Sequence, residues 1–203
     1  MIAIIDYDIG NLAAVANMFH RIGVACEVTA QPERIKLADK IVLPGNGAFD
    51  ACMHALRASE LLPLLEARIR GDKIPLLGIC VGAQMLGHSS EEGSEPGLGW
   101  LDMRVKRFPS LQDLRVPHMG WNHVKTNKPG HPLVQGMDEE TRFYFVHSYY
   151  MEPAKPDIVI LTAHYGIDFA AAVCDKNVAG VQFHPEKSHR FGKQLLARFA
   201  REF

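Results

Sequence analysis

The sequence is poor in cysteine, and its cysteines are not paired. Its 203 residues include only Cys26, Cys52, Cys80 and Cys174, with no Cys-x-x-Cys pair among them. A disulfide framework or a thiolate zinc cluster needs cysteines at closer, paired spacings. We therefore expect neither of these. The pattern favours a reducing compartment, for which we expect the cytoplasm, and we expect no metal and no cofactor.

Neither sign of charge is in excess, and long apolar runs are absent. Lys and Arg number 22 against 23 Asp and Glu, for a net charge of -1. A general nucleic-acid binder carries a strong basic excess, so we expect no nucleic-acid partner. The longest apolar stretch, residues 74–86, contains Pro75 and polar Gln84. It is shorter than the roughly 20 residues that cross a bilayer, so we expect no membrane association.

The first half of the chain alternates short apolar runs with helical patterns. Strands are predicted at residues 2–5, 24–28, 41–43 and 74–79. Helices are predicted between them, including a pattern from about Phe49 to Ile69 that is broken near Ser59 and Pro63. Continuous apolar strands separated by helices indicate a parallel sheet that is covered on both faces.

The pattern changes from about Gly97 to a series of β segments. Antiparallel strands are predicted at residues 100–108, 124–126, 143–151, 158–162, 169–174 and 180–183. A last helix is predicted from the N-cap residue Ser188 to about Arg201. We therefore expect one α/β domain over residues 1–203. It has a mostly parallel central sheet with flanking helices, and an added antiparallel β portion in the second half.

The strongest local signal surrounds one cysteine. Gly78-Ile-Cys80-Val-Gly82 follows an apolar strand and precedes a short helical stretch. A nucleophile on a sharp strand-to-helix turn needs small residues on both sides, and the helix N-terminus favours the thiolate. The alternative is a buried structural cysteine, which the motif alone leaves about equally weighted.

A cysteine nucleophile needs a base and a group that orients the base. His184 ends an apolar strand, and Glu186 lies two residues later, on the same face if the segment is extended. A surface His-Pro turn with a solvated glutamate is the alternative. A zinc deaminase also uses His-x-Glu, but its downstream Pro-Cys-x-x-Cys is absent here. Together, Cys80, His184 and Glu186 form a coherent Cys-His-Glu triad for acyl transfer.

Residues 44–47, Pro-Gly-Asn-Gly, follow a strand that could lie beside the strand of Cys80. Their glycines allow a backbone N–H from the Asn46–Gly47 region to point at the nucleophile and complete an oxyanion hole. A plain turn is one alternative. A phosphate-binding loop is disfavoured because the segment lacks a following Lys-Ser/Thr and a third glycine.

Together these motifs resemble the class I, or triad, glutamine amidotransferases. Further motifs resemble one branch of them, the glutaminase subunits of imidazole glycerol phosphate synthases. The segments that carry the resemblance are Gly78-Ile-Cys-Val-Gly-Ala-Gln84, Gln182-Phe-His-Pro-Glu186, Tyr7-x-x-Gly-Asn11, Pro44-Gly-x-Gly-Ala-Phe49, Glu92-Gly93 with Gly97-Leu-Gly-Trp100, Val116-Pro-His-Met-Gly-Trp-Asn122 and Phe145-Val-His-Ser-Tyr-Tyr150. They appear in family order across nearly the whole chain.

The resemblance implies specific roles. Cys80 would attack the side-chain amide of glutamine, His184 would carry the proton to the departing ammonia, and Glu186 would orient His184. The remaining residues whose backbone or side chain would bind the oxyanion or hold glutamine are Val81, Asn46, Gly47, Gln84, Ser148 and Tyr149.

The resemblance also implies a heterodimer partner, a (β/α)₈ cyclase subunit. This partner would use the ammonia to make imidazole glycerol phosphate and AICAR in histidine biosynthesis. His118, Met119, Trp121 and Asn122 fall where the family meets it, although a core position would also explain Trp121. Two alternatives remain open: an amidotransferase subunit of another pathway, or a non-catalytic regulatory subunit with the same fold.

The sequence departs from the family pattern in two places, at Asn46 and at Asp8 with Ala14, where small or serine residues are commoner. The loop usually reads Pro-Gly-Val-Gly, and Asn46 stands here in place of valine. Asparagine tolerates left-handed backbone conformations far better than valine. Our hypothesis is that the oxyanion peptide reorients more easily, so that glutamine hydrolysis depends less strictly on the partner.

Overall fold

The fold is organised around one large mixed sheet. The computed structural model describes residues 1–110 and 114–203. In chain order, its first half contains β1 (Ile2–Ile5), α1 (Leu12–Arg21), β2 (Cys26–Thr29), α2 (Pro32–Lys36), β3 (Lys40–Gly45), α3 (Phe49–Ala58), α4 (Leu62–Glu66), β4 (Leu76–Cys80) and α5 (Val81–Gln84). The four predicted strands are confirmed to within two residues at each end. The predicted helix break near Ser59 is confirmed, and α2 was not predicted.

The second half is mainly β structure. Its elements are β5 (Met103–Arg107), β6 (His118–His123), β7 (Lys125–Thr126), β8 (Arg142–His147), β9 (Tyr149–Pro153), β10 (Val159–Tyr165), β11 (Ile167–Asp175), β12 (Val178–Val181) and α6 (His189–Arg201). Among the residues that the structure describes, no helix has both the length and the apolar character to cross a membrane.

The sheet has a parallel part and an antiparallel part. Its strand order is β2-β1-β3-β4-β12-β11-β10-β7, with β9 paired to β11 and β5 paired to β9. All pairings from β2 to β12 are parallel, and those beyond β12 are antiparallel. A separate antiparallel pair joins β6 and β8. This confirms the predicted α/β class, with a mostly parallel centre and an added antiparallel portion.

Three details of the predicted strands are wrong. The segment 143–151 is not one strand, because the chain breaks at Ser148 and passes from β8, in the small sheet, to β9, in the large one. The strand expected at 180–183 is β12, which pairs antiparallel with β11 but parallel with β4. Strand β6 was not predicted. Alternation of apolar residues reports that a segment is extended, but it does not report which strand lies beside it.

Apolar side chains from both halves form one continuous core cluster. The rings of Phe143 and Phe183 stack in it, with centroids 3.7 Å apart. This contact joins β8 to the segment after β12. The core therefore fixes the position of the chain just before His184.

Candidate active site

A pocket of about 470 Å³ opens where β3 and β4 end at their carboxyl edge, beside the segment that follows β12. This edge is where open α/β sheets commonly bind ligands. The predicted catalytic, oxyanion and substrate-binding residues all line it: Cys80, His184, Glu186, Val81, Asn46, Gly47, Gln84, Ser148 and Tyr149. The residues predicted for a partner interface do not line it.

Cys80 lies on a strained turn between β4 and α5. Its backbone has φ 54° and ψ -113°, in the left-handed half of conformational space that non-glycine residues rarely occupy. The flanking glycines allow close backbone contact: a Cβ at Gly82 would lie 2.0 Å from the Leu43 carbonyl oxygen, and one at Gly78 would lie 2.7 Å from Ala83 Cα. The α5 helix has only four residues, so the dipole expected to favour the thiolate is that of a single turn.

Replacing Gly82 with alanine is expected to destabilise the chain by about 2–4 kcal/mol, because the new methyl group would overlap the backbone of β3. Chemical denaturation monitored by circular dichroism measures this loss. Gly130→Ala is the matched control, since nothing lies within 4 Å of a Cβ there. Equal unfolding free energies for the two variants would contradict the close contact between α5 and β3.

His184 and Glu186 form a buried pair beside the cysteine. His184 Nδ1–H donates to Glu186 Oε1 over 2.8 Å, and the two side chains are only 7% and 2% exposed. Burial acts to lower the pKa of His184, but the opposing effects of Cys80 and Glu186 are larger and raise it to about 9. His184 Nε2 is buried and has no hydrogen-bond partner among the described residues. It is therefore free to exchange a proton with Cys80 or with a bound substrate.

The local geometry of this pair differs from the sequence argument. His184 lies after the end of β12, and Glu186 lies in a 3₁₀ turn, Pro185–Lys187, rather than in an extended strand. Ser188 does not cap α6 with its side chain. Instead its hydroxyl donates to the His184 carbonyl over 2.6 Å and accepts from Tyr144 N over 3.0 Å. These bonds hold the turn that brings Glu186 to His184.

The predicted oxyanion loop lies next to the turn that carries Cys80. Strand β3 pairs with β4 so that Gly45 is opposite Cys80. The peptide that follows has a positive φ of 82° at Gly47, and the Asn46 carbonyl accepts a hydrogen bond from Cys52 Sγ over 3.2 Å. The loop is exposed at both Asn46 and Gly47. The Asn46–Gly47 segment thus lines the same pocket as Cys80.

Gln84 lines the pocket, and its carboxamide contacts that of the fully buried Gln182. Gln84 Nε2 donates to the Tyr149 carbonyl over 3.0 Å and to Gln182 Oε1 over 3.1 Å. Gln182 Nε2 in turn lies 4.0 Å from Cys80 Sγ as a donor. No role was predicted for Gln182 from the sequence. Its spacing of two residues before His184 was the available signal.

The residues expected at a partner interface lie on β6 and differ in how exposed they are. Met119 and Trp121 are 62% and 43% exposed, and the Trp121 ring stacks on His189 with centroids 5.5 Å apart. Asn122 is half-buried. His118 is 3% exposed, so its side chain contacts the interior of this chain and not the surface. No group of three or more His, Cys, Asp or Glu side chains within the described ranges could hold a metal ion.

Residues 3–203 match the family model described as glutamine amidotransferase class-I. The chain is 51% identical over 199 residues to imidazole glycerol phosphate synthase subunit HisH 2 of Pseudomonas aeruginosa, covering 98% of each chain. It is 47% identical over 203 residues to subunit HisH of Bdellovibrio bacteriovorus, covering 98% of this chain and 99% of that one.

Solved structures show the same fold at lower sequence identity. A crystal structure titled glutamine amidotransferase is 17% identical, with a TM-score of 0.75, covering 97% of this chain and 96% of that chain. The structure of PurLQS from Thermotoga maritima is 17% identical, with a TM-score of 0.74, covering 98% of this chain and 96% of that chain. At this level of identity the likeness concerns the fold alone.

Proposed function

The chain belongs to the class I glutamine amidotransferase family, and from that premise we propose that it is the glutaminase subunit of an imidazole glycerol phosphate synthase. The observation that carries the proposal is the buried His184–Glu186 pair beside Cys80, in a chain 51% identical to a subunit of that name. The retained Cys80, His184 and Glu186 disfavour a non-catalytic subunit.

In the first half of the reaction, the Cys80 thiolate attacks the side-chain carbonyl carbon of glutamine. The negative charge moves to the carbonyl oxygen, where the Val81 N–H and the Asn46–Gly47 peptide would bind it. The C–N bond then breaks as protonated His184 gives its Nε2 proton to the leaving nitrogen. Ammonia and a thioester on Cys80 result, and the Glu186 carboxylate stabilises the imidazolium before the transfer.

In the second half, neutral His184 takes a proton from water, and the resulting hydroxide attacks the thioester. The C–S bond breaks, releasing glutamate and restoring the thiolate with a protonated His184. The ammonia would pass to a (β/α)₈ cyclase subunit in the cytoplasm. We propose that the exposed Met119 and Trp121 side chains of β6 form part of the surface that meets it.

The test is to mix the chain with the (β/α)₈ cyclase subunit from the same organism and to measure formation of imidazole glycerol phosphate. We expect product with glutamine as the nitrogen source only when both chains are present. Free ammonium should support the cyclase alone, which reports that the cyclase is active. Glutamine hydrolysis without transfer of nitrogen to this cyclase would indicate an amidotransferase of another pathway and would overturn the proposed partner.

Replacing Asn46 with valine is expected to lower glutamine hydrolysis without the partner by about tenfold. Reorienting the Asn46–Gly47 peptide breaks the contact from Cys52 and changes ψ at residue 46, where a β-branched side chain is more restricted. Basal glutaminase assays on the isolated chain measure the effect. Asn46→Gly is the control and should keep the basal rate, whereas an unchanged or higher rate in Asn46→Val would refute the hypothesis.

A further inference from the structure

A series of hydrogen bonds, buried at its centre, runs from strand β6 to the substrate pocket. Asn122 Nδ2 donates to the His164 carbonyl over 2.8 Å and lies 3.2 Å from His118 Nε2. His118 Nδ1 lies 2.9 Å from His147 Nε2. His147 Nδ1 lies 2.7 Å from the Tyr149 carbonyl oxygen. Two histidines thus connect a half-buried surface amide to the wall of the pocket.

The direction of every bond in this chain is determined by its ends. A carbonyl oxygen only accepts, so the proton between His147 and Tyr149 is on His147 Nδ1. In a neutral ring the other nitrogen then accepts, so His118 Nδ1 carries a proton and donates to His147. His118 Nε2 in turn accepts from the Asn122 amide. Each of the two rings therefore has one tautomer.

The surroundings keep both rings neutral. His118 stacks between Phe145 and Tyr165, with ring centroids 4.8 and 4.0 Å away. Burial lowers the pKa of His118 to about 4 and that of His147 to about 3. For His147, the hydrogen bond to the Tyr149 carbonyl opposes this lowering, and the neighbouring His118 and His184 add to it. Protonation of either ring would place two donors against each other and break the chain.

At the inner end of this hydrogen-bond series, the Tyr149 carbonyl determines the orientation of a carboxamide beside Cys80. The Tyr149 carbonyl also accepts from Gln84 Nε2, so Gln84 presents its donor end there and gives its second proton to Gln182 Oε1. This leaves Gln182 with its Nε2 donor toward Cys80 Sγ, at 4.0 Å. The reversed carboxamide would place an oxygen against the thiolate instead.

We propose that His118 and His147 are positioning residues that hold the Tyr149 carbonyl so that Gln84 keeps the donor end of Gln182 on the Cys80 sulfur. Neither ring is hydrogen-bonded to the reacting sulfur, and His147, which also lines the pocket, bonds to His118 and to the Tyr149 carbonyl. The inference rests on the proposed role of Cys80 as the nucleophile, and it extends the site from the pocket wall to β6. It also gives buried His118 a function that does not require contact with a partner.

The first test is the alkylation rate of Cys80 by iodoacetamide, followed on the isolated chain by mass spectrometry from pH 5 to 10. His147→Leu is expected to slow alkylation at neutral pH by about 10- to 100-fold, because the thiolate loses one donor. His147→Asn can still donate to Tyr149 and should recover most of the rate. His131→Leu, at a half-buried histidine outside the chain, should match the wild type.

A second measurement needs no variant and covers the case in which His147→Leu fails to fold. Nitrogen NMR shifts of His118 and His147 in the wild type should report neutral rings protonated at Nδ1 between pH 5 and 8. Titration of either ring near pH 6.5, or protonation at Nε2 in place of Nδ1, would overturn the proposed positioning role. So would unchanged alkylation in a folded His147→Leu variant.

Neither readout uses glutamine, so a failure of the proposed positioning role can be distinguished from a failure of the proposed glutaminase function. Glutamine kinetics supply a third readout in the assembled enzyme. We expect His147→Leu to lower kcat/KM for glutamine while ammonium-dependent product formation stays unchanged. The variant should also co-elute with the cyclase in size-exclusion chromatography. A variant that no longer co-elutes would have lost glutamine-dependent activity through a damaged partner contact, which would count against a positioning role.

Discussion

Serine in place of Cys80 is expected to abolish glutamine hydrolysis, with kcat/KM falling by at least about 10⁴-fold. The serine hydroxyl is a far weaker nucleophile than a thiolate, and the site holds its charge balance through the Cys80–His184 interaction. The measurement is glutamate release by the chain with its cyclase partner present.

Free ammonium provides the control for this variant. Ammonium-dependent product formation should stay at the wild-type rate, because it needs only the cyclase, and co-elution of the Cys80→Ser chain with the cyclase checks that the two subunits still assemble. Cys26→Ser is the matched control, because Cys26 is half-buried on β2 and donates only to the Ala16 carbonyl. Full glutaminase activity in Cys80→Ser would refute the triad, whatever the state of the partner.

Glutamine in place of Glu186 is expected to lower kcat by about 10³- to 10⁴-fold and to change its pH dependence. The neutral amide can still accept from His184, but it no longer stabilises the imidazolium. In the wild type, kcat/KM should decline above about pH 9, where His184 loses its proton. In Glu186→Gln the pKa of His184 falls, so this decline should begin at lower pH.

The same pair makes stability depend on pH. The pKa of His184 rises from 6.5 to about 9 on folding, so the folded chain binds the proton more tightly. The resulting stabilisation is fully present below pH 6.5 and is lost as pH rises through about 9. Denaturation midpoints of wild type and Glu186→Gln across this range measure it. Glu66→Gln, at an exposed ion pair with Arg70, is the control.

If the decline of kcat/KM at high pH begins at the same pH in Glu186→Gln as in the wild type, Glu186 does not set the charge of His184. If the decline shifts to lower pH without any loss of kcat, the carboxylate affects the pKa of His184 but not the proton transfer. Either result would remove Glu186 from its proposed role while leaving Cys80 untouched.

Much of the site could be predicted from sequence because its requirements are local. The turn at Cys80 needs small residues at positions 78 and 82, since any Cβ there would overlap the backbone. A glycine requirement of this kind involves residues close together in the sequence, so a short motif reveals it. The same holds for the strand runs before the elbow, whose apolar continuity reflects burial on both faces of a parallel sheet.

The pairings that complete the site could not be predicted in this way. Nothing local marks Ser148 as the point where the chain leaves one sheet for another, because alternation continues on both sides of it. Glu186 does contact His184, as their i, i+2 spacing predicted, but it does so from a 3₁₀ turn held by Ser188 and not from an extended strand.

The sequence by itself predicted Cys80 with its neighbouring glycines and the His184–Glu186 pair as the site, and a parallel sheet for the first half of the chain. Only the tertiary structure decided that His118 is buried and that Gln182 faces Cys80. Those contacts join residues 29, 98 and 102 positions apart, for His118–His147, Gln84–Gln182 and Cys80–Gln182. Hydrogen-bond direction in such a network depends on which groups meet after folding, and no periodicity along the chain records it.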